Sequence, residues 1–548
     1  MTRSPEALAA CIDVAMRRRP ADLVIKGARI FNLITGEYLA HDIALCGNRI
    51  AAIGDDYEGL TLLQADGLIA VPGFTDAHCH IESSMVTPQA WERMVLPRGI
   101  TSAVCDPHEL ANVAGSAAID YFRAAAQTLL MHLQVQIPSC VPALPSEEAG
   151  AILDSAAIAP YATDAALAEF MNVPGVITNA PDALQKLAAF SDRPIDGHAP
   201  LVNGDTLNAL CTAGITNDHE CSNPEEALQK LRLGMTVLIR AGSVGRNLEA
   251  LSPLLTTELA DALCLCTDDR DPRDVLQEGH LDAAIRKAIA AGRDPLAVYR
   301  AACLTPARQF GWRHRGLIAP GYIADIVLMP DLADCRAKHV IANGVRVTEE
   351  AFATRPAEPD PSAFHDSVRI ARSLTAADFT PSTDDRVIHV QEGTLLTQIK
   401  HRHDCATPPA QLALIARHGK SNRIGHALVD GFNLTEGAFA STVGHDSHNL
   451  CVVGTSPEAM AMAANALRDC GGGFAVVHGG QVTGLLPLPI GGLLSDQPWE
   501  AVADALERLH QAAHATGTTL SNPFLALAFL PLPVIPAARI TLDGFVTC

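Results

Sequence analysis

Positive charge is in short supply. The 548-residue chain carries 40 Lys and Arg against 61 Asp and Glu, a formal charge of −21, and no basic stripe offsets it. A nucleic-acid polymer is thereby excluded as the expected partner, since neutralising phosphates takes clustered Lys and Arg. Aromatic side chains are also few, at 4%, which leaves Ala, Leu, Val and Gly to fill the interior, as in α/β proteins. No apolar run reaches the ~18 residues of a membrane span, and no secretory leader stands at the start. A soluble, cytoplasmic protein with no membrane partner is expected. Cysteine is not lacking, at 15 residues, but it is scattered through apolar runs such as Leu263-Cys264-Leu265-Cys266. That distribution reads as buried thiols in a reducing compartment, not as a disulfide framework.

The length calls for about three or four domains. Ser4 to Arg18 reads as an amphipathic helix. Short strands follow, at Asp22–Lys26, Asp42–Cys46 and Arg49–Ile53, separated by Gly-containing turns. Gly316–Met329 and Val340–Val347 resume the same style far downstream. Neither piece alone has strands enough for a core, so residues 1–71 and 313–389 are expected to build one composite β-sandwich. Between them, in residues 72–312, apolar strands alternate with helical stretches about eight times, which fits a (β/α)8 TIM-type barrel. An open doubly wound sheet would call for a Gly-rich phosphate loop after its first strand, and none is present. Residues 351–402, rich in Pro, Asp and Ser, read as a linker with peripheral strands. Residues 390–548 read as a separate C-terminal α/β domain. The expected class is α/β throughout.

The stretch Val71-Pro-Gly-Phe-Thr-Asp-Ala-His-Cys-His-Ile-Glu-Ser-Ser84 organises the rest. His78 and His80 lie two apart, so on a strand both rings face one side and can approach one metal at about 2.0–2.1 Å. Asp76 and Glu82 bracket them and are placed to orient a ring or handle protons. In a barrel, functional residues sit where strands end. The expected strand ends carry His78 and His80, Asp106-Pro-His108-Glu109, Glu169, His198, His219-Glu220, Arg240 and Asp268-Asp269. Buried imidazoles and carboxylates cost several kcal/mol each unless paired or coordinated. So many in register point to a metal site.

His-x-His after Pro-Gly-Phe-x-Asp resembles the metal-binding signature of the amidohydrolase superfamily. The blocks Asp76–Met85, Cys105–Glu109, Ala168–Gly175, Asp196–Pro200, Asp218–Glu220 and Cys266–Arg270 resemble its adenine deaminase branch more closely. So do Gly437–Asn449, Gly471–Gly473 and Pro487–Gly492, and the likeness covers nearly all the chain beyond its first twenty residues. The resemblance implies hydrolytic deamination of adenine to hypoxanthine and ammonia, a step of purine salvage, with a small purine as the partner molecule. It implies His78, His80, Glu169, His198, His219 and Asp268 as ligands of two divalent ions. No lysine stands near Glu169, which leaves that carboxylate as the bridge; manganese or iron is expected, with zinc the third candidate. Asp268 is the expected proton carrier. Glu82 is the first candidate and Glu220 the second for protonating the ring nitrogen N1, and Asp106 is expected to orient a ligand or bind substrate. Ser83, His445 and His448 complete the substrate-binding candidates, the last two on a cap over the barrel mouth. A homo-oligomer, first a dimer, is expected. Two other readings compete. Cyclic amide hydrolysis of the dihydroorotase or hydantoinase type keeps the metal site but usually has a bridging lysine. A non-catalytic scaffold would have lost ligands, and none is missing.

Overall fold

The structure is a computed structural model that describes residues 4–392, 394, 396–532 and 537–547. The first helix, Pro5–Ala15, starts at a proline, and the Ser4 hydroxyl accepts from the Ala7 N–H at 3.2 Å. Both features satisfy or dispense with orphan donors at a helix start. A four-stranded sheet follows in the order Arg49–Gly54, Asp42–Cys46, Ala21–Lys26, Gly59–Gln64. A six-stranded sheet runs Val345–Arg346, His339–Ala342, Ile326–Met329, Ile69–Pro72, Arg29–Phe31, Tyr38–Ala40. Its two central strands come from opposite flanks, with Val327 opposite Val71 and Leu328 opposite Ala70 in antiparallel register. Ile30, Ala70, Ile326 and Leu328 share one apolar core with Ile25, Ile43, Leu45 and Leu63 of the smaller sheet. Both flanks therefore meet in one two-layer body.

Between the flanks lie eight successive strands: Phe74–His80, Ile100–Cys105, His132–Val135, Leu167–Phe170, Ile195–Gly197, Asn217–Asp218, Thr236–Arg240 and Leu263–Cys266. Their pairings are parallel. An isolated parallel bridge, Ile137 to Leu167, joins the third to the fourth. The Thr216 N–H donates to the Ile195 carbonyl at 3.0 Å between the fifth and sixth. Just past the eighth, Asp268–Asp269 turns back onto the first strand, with Asp268 opposite Cys79. Helices follow most of the strands, and Ile100–Cys105 is buried from end to end, as a parallel strand covered on both faces must be. Gly73, which breaks the run into the first strand, is required by space: a Cβ there would stand 2.0 Å from Thr101 Oγ1.

The C-terminal part holds an eight-stranded sheet, in the order Gln398–His401, Arg386–His389, Ile424–Asp430, Ala410–Ile415, Leu450–Gly454, Ala438–Ser441, Gly473–His478, Gln481–Pro487. Along Gly473–His478, Phe474 and Val476 face the core that holds Leu506 and Leu509, whereas Ala475 and Val477 face Ala463 and Leu467. This period-two alternation puts helices Trp499–Ala515 and Pro457–Cys470 on opposite faces. The sheet takes in Arg386–His389, just ahead of residue 390, because its parallel pairing with Ile424–Asp430 uses a stretch whose composition reads as linker. No helix among the described residues is long and apolar enough to cross a membrane.

The shared sheet predicts that Leu328→Ala destabilises the protein by about 2–5 kcal/mol, the range for an emptied leucine site in a core. Thermal unfolding should shift down, and an unchanged midpoint would mean that the two flanks do not depend on each other.

Candidate metal and catalytic centre

The first strand delivers His78 and His80 to its C-terminal end, with ring centroids 4.8 Å apart and planes at 88°. The fourth strand brings Glu169 opposite them, and the arrangement around this carboxylate is specific. Its Oε1 lies 3.3 Å from His80 Nε2 and 3.9 Å from His78 Nε2. Its Oε2 lies 2.6 Å from His198 Nδ1 and 3.4 Å from His219 Nε2. Oε1 thus serves the pair from the first strand, with His108 Nδ1 also 3.3 Å away, and Oε2 serves the pair that ends the fifth and sixth. Asp268 Oδ1 completes the first group, at 3.2 Å from His80 Nε2 and 3.7 Å from His78 Nε2. Ligand atoms arranged tetrahedrally about one ion at the usual ~2.1 Å would stand about 3.4 Å apart, close to these spacings.

The donor set fits divalent ions. His78 Nε2, which faces Glu169 and Asp268, is buried without a hydrogen-bond partner, a costly state that coordination would relieve. Burial alone would raise Glu169, but the His198 hydrogen bond and its neighbours hold the carboxyl well below the carboxylate range. Asp268 behaves alike: burial opposes ionisation, and the His80 bond followed by the Arg240 charge holds it well below its ordinary value. Both carboxylates are therefore ready ligands at neutral pH. Asp268 also takes a left-handed backbone, φ 61°, which costs a non-glycine residue about 1–3 kcal/mol and is concentrated at functional sites.

Each residue is held in place by its surroundings. The His80 Nδ1 bonds the Asp106 carbonyl at 3.0 Å, so Asp106 orients a ring through its backbone while its carboxylate bonds His108 Nδ1 at 3.0 Å. Asp76 holds no ring; it accepts the Thr267 N–H at 2.9 Å and hydroxyl at 2.5 Å, fastening the turn that carries Asp268. Arg240, ending the seventh strand, grips Glu220 with two donors at 2.6 and 3.0 Å and gives a third bond to Asp268 Oδ2 at 2.7 Å. Gly245 makes room for it: a Cβ there would lie 2.8 Å from the guanidinium carbon.

A cavity of about 350 Å³ opens on this centre, lined by His80, His108, Glu109, Glu169, Met171, His198, His219, Glu220, Arg240 and Asp268. The C-terminal part roofs it with Leu396, His445, Asp446, Phe529 and Leu532. His445 and Asp446 thus line the cavity. His448 stands behind them, bonded to Glu109. Glu82 and Ser83 are not among the lining. They face an adjoining chamber of about 50 Å³ that shares Val244, Asp269 and His445 with the cavity. Glu82 accepts the Leu110 N–H at 3.1 Å, and burial pushes its carboxyl up to about 7. Ser83 bonds Asp269. Glu220 does reach the cavity, 3.4 Å from His219 Nε2; burial opposes its ionisation, but Arg240 and His198 outweigh it and hold the carboxyl low. Sequence reading gave no role to Glu109, Arg240 or Phe529. Arg240 had a signal, its strand-end position, whereas Phe529 had none.

A buried carboxylate ringed by imidazoles at the ends of parallel strands is the donor set of a metal-dependent hydrolase. The pattern described as Amidohydrolase family matches residues 69–347, and that of the Adenine deaminase C-terminal domain matches residues 383–548. Among curated relatives, Adenine deaminase 1 of Rhizobium meliloti (strain 1021) is 50% identical, covering 99% of this chain and 98% of its own length. Adenine deaminase of Gluconobacter oxydans (strain 621H) is 49% identical, covering 96% of each. Among solved structures, a triazine hydrolase variant has a TM-score of 0.46 at 18% identity, covering 62% of this chain and 97% of its own. The chain belongs to the amidohydrolase family and, within it, to the adenine deaminases.

Replacing Glu169 by Gln keeps the shape but removes the charge shared between the two histidine pairs. Metal content at saturation should fall from two ions per chain to one or fewer. A variant that retains two ions with near-normal turnover would contradict the bridging assignment.

Proposed function

We propose that this protein hydrolyses adenine to hypoxanthine and ammonia inside a closed (β/α)8 barrel. The observation that carries the reading is Glu169, with His78 and His80 of the first strand on one oxygen and His198 and His219 on the other. The near-continuous parallel pairing of the eight strands, and the return of Asp268–Asp269 to the first, support the closure. His78, His80 and Asp268 would hold one ion, His198 and His219 the other, with Glu169 between them. Bound there, divalent ions would supply Lewis acidity and lower the pKa of water to about 7; manganese, iron and zinc all suit this nitrogen and oxygen set.

The rest of the chemistry falls to side chains. Asp268 is ionised and fixed by Arg240, which suits it to accept the proton of the attacking water and return it to the departing amine. N1 of the ring must gain a proton as C6 becomes tetrahedral. Glu220 has the position, inside the cavity beside His219. Glu82 has the proton, its carboxyl pushed up to about 7 by burial, but it stands in the adjoining chamber. Glu220, held ionised by Arg240 and His198, has no proton to give and would instead accept a hydrogen bond from an N–H of the purine, which leaves Glu82 as the candidate that supplies the proton to N1. Asp106 acts through His80 and His108 rather than on substrate. His445 and Phe529, stacked ring on ring, form a flat side of the roof, the wall that a flat purine needs. The unpaired cysteines of the described chain suit a cytoplasmic setting.

Asp268→Asn should leave the fold intact and lower kcat by two or more orders of magnitude, roughly the scale for loss of a proton-transfer group. Near-native kcat would end that assignment.

Free adenine should be preferred to adenosine by a hundredfold or more in kcat/KM. Relatives that match the whole chain are named for the free base, and the C-terminal side chains over the cavity are the element that would turn a ribose away. Comparable kcat/KM for the nucleoside would contradict the closed roof.

A further inference from the structure

Glu109 is buried, lies on the catalytic side of the seam, and has three histidine neighbours: His108 of its own domain, with Nε2 at 3.4 Å from Oε1, and two from the C-terminal domain. Its Oε1 is 2.5 Å from His445 Nδ1, and its Oε2 bonds His448 Nε2. The His448 contact is fixed in sense, because His448 Nδ1 accepts the Gly444 N–H at 3.1 Å and so leaves Nε2 as the donor. His445 is fixed from its own domain as well. Its N–H donates to the Ala528 carbonyl at 2.9 Å. Its ring lies flat on Phe529, with centroids 4.2 Å apart and planes at 16°. Both rings of this stack line the catalytic cavity. The next residue, Asp446, brings Oδ1 to 4.0 Å from His108 Nε2, and His108 in turn stands 3.3 Å from Glu169 Oε1.

We propose that Glu109 is a positioning residue for substrate binding: its two oxygens hold one cap histidine each and so fix the His445–Phe529 plate at the height a purine ring requires. The inference rests on the deaminase reading and deepens it, by assigning the ring-facing wall to a cross-domain carboxylate that touches no reacting atom. The seam has other fastenings. Lys420 Nζ donates to the Ala149 carbonyl at 2.7 Å, Ser447 Oγ to Glu147 Oε1 at 2.7 Å and Asn449 Nδ2 to the Glu148 carbonyl at 2.9 Å. Loss of Glu109 therefore loosens the roof locally and leaves the two domains docked.

The test is Glu109→Gln in the metal-loaded full chain. An amide offers one acceptor oxygen, so one imidazole must face an NH2 group and the grip on the pair is lost. Two readouts decide. Hydrogen exchange over residues 444–449 should speed up by about tenfold or more relative to the wild type, with exchange over residues 74–80 unchanged. This arm involves no substrate, so it judges the latch even if the wild type proves not to turn over adenine, an outcome that would sink the deaminase reading instead. For turnover, KM for adenine should rise by about tenfold while kcat falls by about threefold or less, with metal content unchanged. His445→Gln should behave alike, and the double variant should be no worse than either single one, because the two residues act as a unit. Unaltered exchange at 444–449, an unaltered KM, or fully additive effects in the double variant would each overturn the proposal.

Discussion

A carboxylate buried among imidazoles cannot be left without compensation, and Glu169 is the point where the fold settles that demand. Its charge, removed from water, would cost several kcal/mol if unpaired. Five histidines from four different strand ends converge on its two oxygens. Those strand ends must therefore be held in register to within a fraction of an ångström. The local devices around the site serve that end: Asp76 fastens Thr267 beside Asp268, the Asp106 carbonyl fixes the ring of His80, and Arg240 ties Glu220 to Asp268.

The same demand accounts for the company the parallel strands keep. The six-stranded sheet sews the entrance of this region, Ile69–Pro72, to the chain that leaves it, Ile326–Met329. Both ends of the catalytic segment are thereby anchored to one apolar core. On the opposite side the C-terminal domain closes the cavity with a small number of side chains, and its seam combines Glu109 with bonds to residues 147–149. Water exclusion matters to such a centre, because an ion pair or proton transfer is worth far more in a closed, weakly polar site than in solvent.

Much of this was legible in the chain. Strand–turn–helix alternation and the resemblance located the ligand candidates, and the structure brings His78, His80, Glu169, His198, His219 and Asp268 together. The composite sheet was legible too, because neither flank has enough strands for a core. What could not be read is what depends on distant packing. Glu82 follows the metal-binding strand, yet a tight turn, Ile81–Ser84, carries it into the neighbouring chamber. Glu109 stood beside His108 without a role because the two cap histidines it pairs with lie more than 300 residues away. Phe529 belongs to an ordinary apolar helix, Pro523–Phe529, and nothing in that pattern separates a roof residue from a core one. Arg386–His389 lies in a segment of turn-forming composition and becomes a strand through pairing with Ile424–Asp430, a case of tertiary context overriding local signal.

The measurement that bears most directly on the central claim is a titration of metal-free protein with Mn²⁺, reading ions bound per chain and ammonia released from adenine in the same samples. Two histidine pairs sharing Glu169 predict that ammonia release climbs until two ions are bound per chain and then stays level. Full turnover with one ion per chain, or no ammonia from a chain that holds two, would contradict a centre built around that shared carboxylate.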